Sequence, residues 1–155
     1  SLGDLKALKA GQGHDWPDTA ILRANGLPVE VSPRYDSLFR MLKSKRFDYF
    51  PRSVLEIWGE ADRYADTGLV VEPRVLLHYP TAFYFFVSKN NPQLAAILER
   101  GINAAIKDGS FERLFQQTYG DVMRRANLTG RTTLRLTNPL LPAKIPLQRK
   151  ELWIQ

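Results

Sequence analysis

"AGQGHDWPDTAILRANGLPVEV", residues 10–31, decides how the fold is read. A short run with two glycines leads to Pro17, placed where a helix opens: the N–H it lacks is not needed there and its φ is already helical. Asp15 or Trp16 serves as the N-cap. Ile21 and Leu22 supply a buried side, and Gly26 stands where a left-handed C-terminal glycine belongs. "LPVEV" then reads as a strand bounded by Pro28 and Pro33. Strand, helix and strand in so short a span make the unit from which parallel sheets are built. The first strand, with its turn, is expected in "ALKAGQG", residues 7–13.

The alternation continues along the chain. "SPRYDSLFRMLKSKR" (32–46) predicts a helix capped by Ser32, with Leu38, Met41 and Leu42 on one face and Lys43, Lys45 and Arg46 at the negative end of its dipole. "FDYF" (47–50) predicts a short strand cut by Pro51, and "RSVLEIWGEADRYA" (52–65) a helix burying Val54, Leu55 and Trp58. "LVVEPRVLLHYP" (69–80) holds one or two strands, and "TAFYFFVSK" (81–89) is the densest run of strand-forming residues. Asn91 and Pro92 open a long helix carrying Leu94, Ile97, Leu98, Ile102, Ala105 and Ile106, up to Gly109. Ser110 caps a shorter helix with Phe111, Leu114, Phe115 and Tyr119, closed at Gly120. From about Thr129, Pro139, Pro142 and Pro146 forbid a helix. That stretch predicts an extended strap packing Leu136, Leu140, Leu141 and Trp153 onto the body. The expected fold class is α/β and layered.

At 155 residues, 44% hydrophobic and 25% charged, the chain suits one ordinary globular domain rather than disorder. No run approaches the roughly 20 apolar residues of a membrane span, and no signal peptide is visible at the start. Cysteine is absent, which excludes disulfides, thiolate metal sites and cysteine nucleophiles. The net charge of +6 is unevenly placed: residues 1–120 hold 15 basic against 14 acidic residues, and 121–155 hold 7 against 2. Basic residues scattered singly along a tail make a poor phosphate track, so no nucleic-acid partner is expected.

Glycine-rich turns opening onto helices often hold anions. Here Trp16 stands where a dinucleotide fingerprint needs its third glycine, Pro17 removes a donor, and Asp15 and Asp18 bring like charge, so a phosphate loop is rejected. His14, Asp15 and Asp18 are too few for a zinc site, and they read better as turn and cap residues. There is no G-x-S-x-G, S-x-x-K or H-E-x-x-H motif. Glu56 and Glu60, one turn apart, read as a solvated face. Arg46, Asp48, Arg52 and Glu56 crowd a strand-to-helix turn. That turn is either a ligand site, as strand ends in open α/β sheets often are, or an ion-pair cluster pinning the chain.

Three segments together, "SLGDLKALKAGQGHDWPDT" (1–19), "YDSLFRMLKSKRFDYFPRSV" (35–54) and "FYFFVSKNNPQLAAILERGINAAIKDGSFERLFQQTYG" (83–120), resemble the type 2 periplasmic solute-binding proteins of ABC importers, in the polar amino-acid group. The last segment is the most specific, and the tail is not part of the usual family pattern. The resemblance implies a three-layer second lobe over residues 1–81, a return strand and helices over 82–120 that normally complete the first lobe, and a basic, proline-containing tail over 121–155. The first lobe itself is largely absent. The implied function is non-enzymatic binding of a small polar or anionic solute in the periplasm, delivered to a membrane permease, with no cofactor and no metal. A sensory ligand-binding module or an enzyme-associated domain on the same scaffold is the alternative.

By the same resemblance, the turn at Gly13, His14, Asp15 and Trp16 forms one wall of the cleft, its backbone donors meeting a ligand carboxylate. The acidic position that receives a ligand ammonium falls on Ser53, beside Arg52, and Glu56 supplies a carboxylate one turn later. The expected ligand-binding set is therefore His14, Asp15, Trp16, Arg52, Ser53 and Glu56. With the first lobe missing, the chain is also expected either to self-associate through residues 82–120 or to fold that segment back onto its own sheet.

Overall fold

A computed structural model describes residues 1–154. Its elements run in the order α1 (Leu2–Leu5), β1 (Ala10–Gly13), α2 (Pro17–Ala24), β2 (Val29–Ser32), α3 (Tyr35–Lys43), α4 (Ile57–Arg63), β3 (Val75–His78), α5 (Pro92–Lys107), α6 (Ser110–Ala126) and β4 (Thr132–Arg135), with short 3-10 turns at Ala65–Thr67, Leu128–Gly130 and Lys150–Leu152. The chain is a mixed α/β protein with small parallel sheets.

The segment that decides the fold behaves as its residues dictate. β1 and β2 pair in parallel, Ala10 opposite Val29 and Gly13 opposite Ser32, with α2 as the crossover. α2 starts on Pro17, and Trp16 is its N-cap, with extended backbone and no side-chain bond to the helix. It ends on a left-handed glycine. Gly26 has φ +75, its N–H donates to the Arg23 carbonyl, and the Leu27 N–H donates back to Leu22 at 3.1 Å. These two bonds satisfy carbonyls that the helix end would leave bare. They also drop Leu27 beside Leu22, and both are core residues with Ala10 and Leu136.

A third segment lies along β1 on the side away from β2. The Gly11 N–H donates to the Tyr49 carbonyl at 2.8 Å, the Asp48 N–H donates to Lys9, and Ala10 bridges Tyr49 in parallel. The "FDYF" strand is thus reduced to one bridge, because Pro51 lacks the N–H to carry the ladder further. The first strand is likewise shorter than expected: residues 2–5 form a helical turn closed by a Ser1–Asp4 capping box, and β1 begins at Ala10.

β3 and β4 form the second parallel pair, Val75 opposite Thr132 and His78 opposite Arg135. The two sheets share a core, since Leu77 and Tyr79 from the end of β3 and Leu136 after β4 pack around Ala10, Leu22 and Leu27. Asn25, at the end of α2, ties them: its Nδ2 donates to the Thr137 carbonyl at 2.8 Å and its Oδ1 accepts from the Thr137 N–H at 2.9 Å.

The chain departs from expectation in further places. Residues 81–88 form no strand, and Phe83 and Phe86 are each 97% exposed. A strand needs a ladder on at least one side, and no neighbouring segment among the described residues offers one. The helix from Ser110 does not stop at Gly120 but runs to Ala126, because Val122, Met123 and Ala126 keep its helical spacing. Its N-cap is Gly109, left-handed at φ +75, with Ser110 already its first residue rather than its cap, and its end signal is Asn127, in the left-handed region at φ +47. In the first half, the helix drawn over 52–65 begins only at Ile57, and α3 opens at Tyr35 with Arg34 as its N-cap, because Ser32, expected as the cap, is taken up as the last residue of β2.

A further departure is in the tail. Residues 121–126 are helical, 132–135 are strand, and Leu136 is buried. Leu141 and Trp153 are half-buried, whereas Leu140 remains 53% exposed, so the strap grips the body at fewer points than its leucines predict. Leu140 follows Pro139 at a turn where its own N–H donates to the Asn138 side chain, and that turn carries it off the surface.

Candidate functional site

β1, β2 and the Asp48–Tyr49 segment all point the same way, so their carboxyl ends share one edge. The three turns leaving that edge carry Trp16, Tyr35 and Arg52. Arg52 follows Pro51 directly, and Gln12 from β1 holds that turn by donating its Nε2–H to the Pro51 carbonyl at 3.2 Å. The Arg52 guanidinium carbon lies 5.0 Å from the Trp16 ring centre, 5.5 Å from Tyr35 and 5.3 Å from Phe50. Trp16 and Phe50 stack at 6.2 Å, and Phe39 and Phe47 extend the aromatic group inward. A cation among aromatic faces is stabilised by about 0.5–2 kcal/mol, more as water is excluded.

Two carboxylates balance that cation. Arg52 Nε and Nη2 donate to Glu60, at 2.6 to 3.0 Å, and Nη2 also donates to Glu56 at 2.9 Å. Tyr35 completes the group by donating its hydroxyl proton to Glu60 at 2.7 Å. The Arg52 and Glu60 side chains are only 14% and 13% exposed, against 55% for Glu56. Burial pushes the Glu60 carboxyl up, but the hydrogen bonds from Arg52 and Tyr35 and the guanidinium charge outweigh it and hold it below its ordinary range. Burial and the bond to Glu60 together push the Tyr35 phenol well up.

Of the six residues expected in the site, Trp16, Arg52 and Glu56 are joined by direct interactions. His14 and Asp15 sit exposed on the turn before Trp16, with His14 Nδ1 3.6 Å from the Asp15 carboxylate. Ser53 is exposed and its hydroxyl accepts the Leu55 N–H at 3.2 Å. No hydrogen bond or ion pair among the described residues links these three to Arg52. Two backbone donors of the turn are engaged as well: His14 N–H goes to Ser32 and Trp16 N–H to Gly13. Asp18 accepts the Tyr79 hydroxyl, which ties α2 to the segment after β3.

Tyr35, Phe50 and Gln12 belong to the group and escaped the sequence reading, and Glu60, read with Glu56 as a solvated face, is instead sheltered against Arg52. Glu60 had a signal: Arg52, Glu56 and Glu60 recur every four residues, the spacing at which side chains meet along a helix face. Tyr35 had a weaker one, as the first helical residue after β2. Gln12 had none, for nothing in "AGQG" marks a glutamine that is 98% buried. Its Oε1 has no hydrogen-bond partner among the described residues. An orphaned buried acceptor costs about 1–3 kcal/mol, and this one lies directly under the Arg52 turn.

Comparison with protein-family models, with curated proteins and with solved structures returns no match for this chain.

Proposed function

We propose that the chain is a lobe of a two-lobed solute-binding protein of the type 2 periplasmic kind, and that a small polar solute lodges against the edge formed by Trp16, Arg52 and Glu56. The observation that carries this reading is a preorganised, aromatic-walled arginine at the carboxyl ends of three parallel segments, where open α/β sheets take their ligands. Arg52 Nη1 makes no hydrogen bond among the described residues, and it supplies donors to an anionic group. The exposed Glu56 carboxylate receives a cationic one, in the role that Ser53 cannot fill. Trp16 covers the apolar part of the solute.

In this reading the lobe binds and does not transform its ligand. Closure against a second lobe completes the pocket, and the closed form docks on a membrane permease in the periplasm. The exposed face over Phe83–Phe86, α5 and α6 supports it, because such a surface expects cover. The test is a thermal-shift screen of the protein against amino acids, dicarboxylates and polyamines. A binder present at 100 times its Kd adds about 2.7 kcal/mol of stability. A hit whose shift disappears in Trp16→Ala supports the reading, and a panel without a hit, or a hit indifferent to Trp16 and Glu56, defeats it.

A further inference from the structure

β2 is the free edge of its sheet. It pairs with β1 on one side, and no strand among the described residues lies on the other. The carbonyls of Pro28 and Ser32 accept from Ala10 and His14, so the even-numbered residues face β1. The alternate residues Val29 and Val31 therefore turn their N–H and C=O groups outward. Among the described residues, only the Val29 carbonyl has a hydrogen-bond partner there, a long 3.5 Å contact from Arg23 Nη2.

Edges of this kind are usually blunted by a covering loop or a bulge. Here β2 instead borders a concavity of about 510 Å³, lined by Glu30, Val31, Ser32, Arg34, Arg40 and Arg46 among others. None of the three arginines pairs with a carboxylate among the described residues. Arg40 only donates to the Ser37 hydroxyl at 3.2 Å. The single carboxylate of the lining, Glu30, lies 3.7 Å from Lys9 Nζ. The groove thus joins an unpaired strand edge to three uncommitted guanidinium groups.

We propose that this groove binds an acidic peptide segment in extended conformation, added as a strand to β2. The outward N–H and C=O of Val31 make the main-chain bonds, which any extended peptide can answer. Selectivity comes from Arg34, Arg40 and Arg46, which hold carboxylates bidentately better than lysines would. Side chains of an added strand alternate between faces, so the segment carries Asp or Glu at every second position. Pro28 and Pro33 bound the edge, which limits the paired stretch to about the four residues of β2. A DNA strand fits less well, since its backbone has no donor for the outward carbonyl and three arginines form a short phosphate track.

The experiment is fluorescence anisotropy of a labelled Val-Glu-Val-Glu-Val-Glu peptide against the full chain. Its companions are the same peptide N-methylated at alternate residues, a Val-Lys peptide and an oligothymidylate. Saturable binding is expected for the glutamate peptide alone, weakened at least about tenfold by N-methylation. An Arg40→Glu, Arg46→Glu variant should lose binding by a similar factor. Both residues are exposed, and an unchanged melting curve shows that variant to be folded. Equal binding of the N-methylated peptide would overturn the proposal, because charge alone would then suffice. Equal binding of oligothymidylate, or no binding of the glutamate peptide, would overturn it as well.

Discussion

Arg52 and Glu60 meet through three short contacts: Nε to both carboxylate oxygens at 2.8 and 3.0 Å, and Nη2 to Oε1 at 2.6 Å. Both side chains are largely sheltered, and the Tyr35 hydroxyl occupies the same carboxylate. A pair held this way fixes where the guanidinium points. It sets the distance from Arg52 to Trp16 and leaves Glu56 as the accessible carboxylate.

Glu60→Gln should therefore destabilise the fold by about 1–3 kcal/mol, since a sheltered guanidinium loses its main counter-charge. Glu56→Gln should cost under about 1 kcal/mol, because its carboxylate is half in water and partly screened. Urea titrations of the two variants give the comparison. Equal losses would show that the cluster is a surface network with no sheltered centre.

The same pair predicts a pH dependence. The folded Glu60 carboxyl is held below its ordinary value, so its contribution is fully present above about pH 4.3, the unfolded value. It fades as pH falls through the lowered folded value. The stability gap between the native chain and Glu60→Gln should accordingly narrow on acidification below that point. A gap constant down to the acid limit would mean that Glu60 titrates unperturbed.

Gly13→Ala should cost at least about 1–3 kcal/mol, the usual penalty for overpacking. A Cβ at Gly13 would fall inside the Trp16 indole, which lies directly over that glycine. The loss should come with a shift in tryptophan emission as Trp16 is displaced. Gly11→Ala meets the Phe47 ring in the same way and should cost as much without disturbing Trp16. Neutral behaviour of both would show that the two rings are loosely placed.

The tail is expected to be structural at one point. Leu136→Ala should cost about 2–5 kcal/mol, as for other fully buried leucines, while Leu140→Ala should be nearly silent. Asn25→Ala should add a loss of about 1–2 kcal/mol by cutting its three bonds with Thr137. Thermal denaturation orders these variants. Equal effects of Leu136→Ala and Leu140→Ala would contradict the placement of the strap.

Phe83 and Phe86 make a different prediction. Both side chains stand in solvent beside an apolar hollow of about 320 Å³ lined by Phe85, Leu98, Ile102 and Ile106. Replacing both by serine should leave the melting temperature unchanged and lower self-association, measured by sedimentation at micromolar concentration. A drop in melting temperature would place these rings inside the folded body.

The first half of the fold was legible because its signals are local. Pro17, Gly26 and Pro28 each dictate backbone geometry by themselves, and α2 and β2 start and stop where those residues require, whereas Pro33 ends β2 without opening α3, which starts two residues later at Tyr35. The second half was less so. "TAFYFFVSK" has strong strand chemistry, but a strand depends on a partner that residues 81–89 cannot announce. Gly120 looked like a helix stop, yet a buried glycine inside a helix costs only about 1 kcal/mol, less than the packing of Val122, Met123 and Ala126 returns. At the site, Trp16 and Arg52 were identifiable as turn residues of the same sheet edge. Tyr35 was not, and the spacing that marks Glu60 does not show its burial, because the roles of both come from convergence of α3 and α4 on one guanidinium.

The most direct measurement is an NMR titration that follows the Trp16 indole N–H, assigned by its absence in Trp16→Phe, as small solutes bearing ammonium and carboxylate groups are added. On the proposed two-lobed reading, a single wall of the cleft should hold such a solute with a Kd of about 1 mM or weaker. The account predicts a saturable shift of that resonance, lost in Glu56→Gln, with the Trp58 and Trp153 resonances unmoved. A Trp16 resonance that stays fixed throughout, or one that moves together with Trp58 and Trp153, would contradict it.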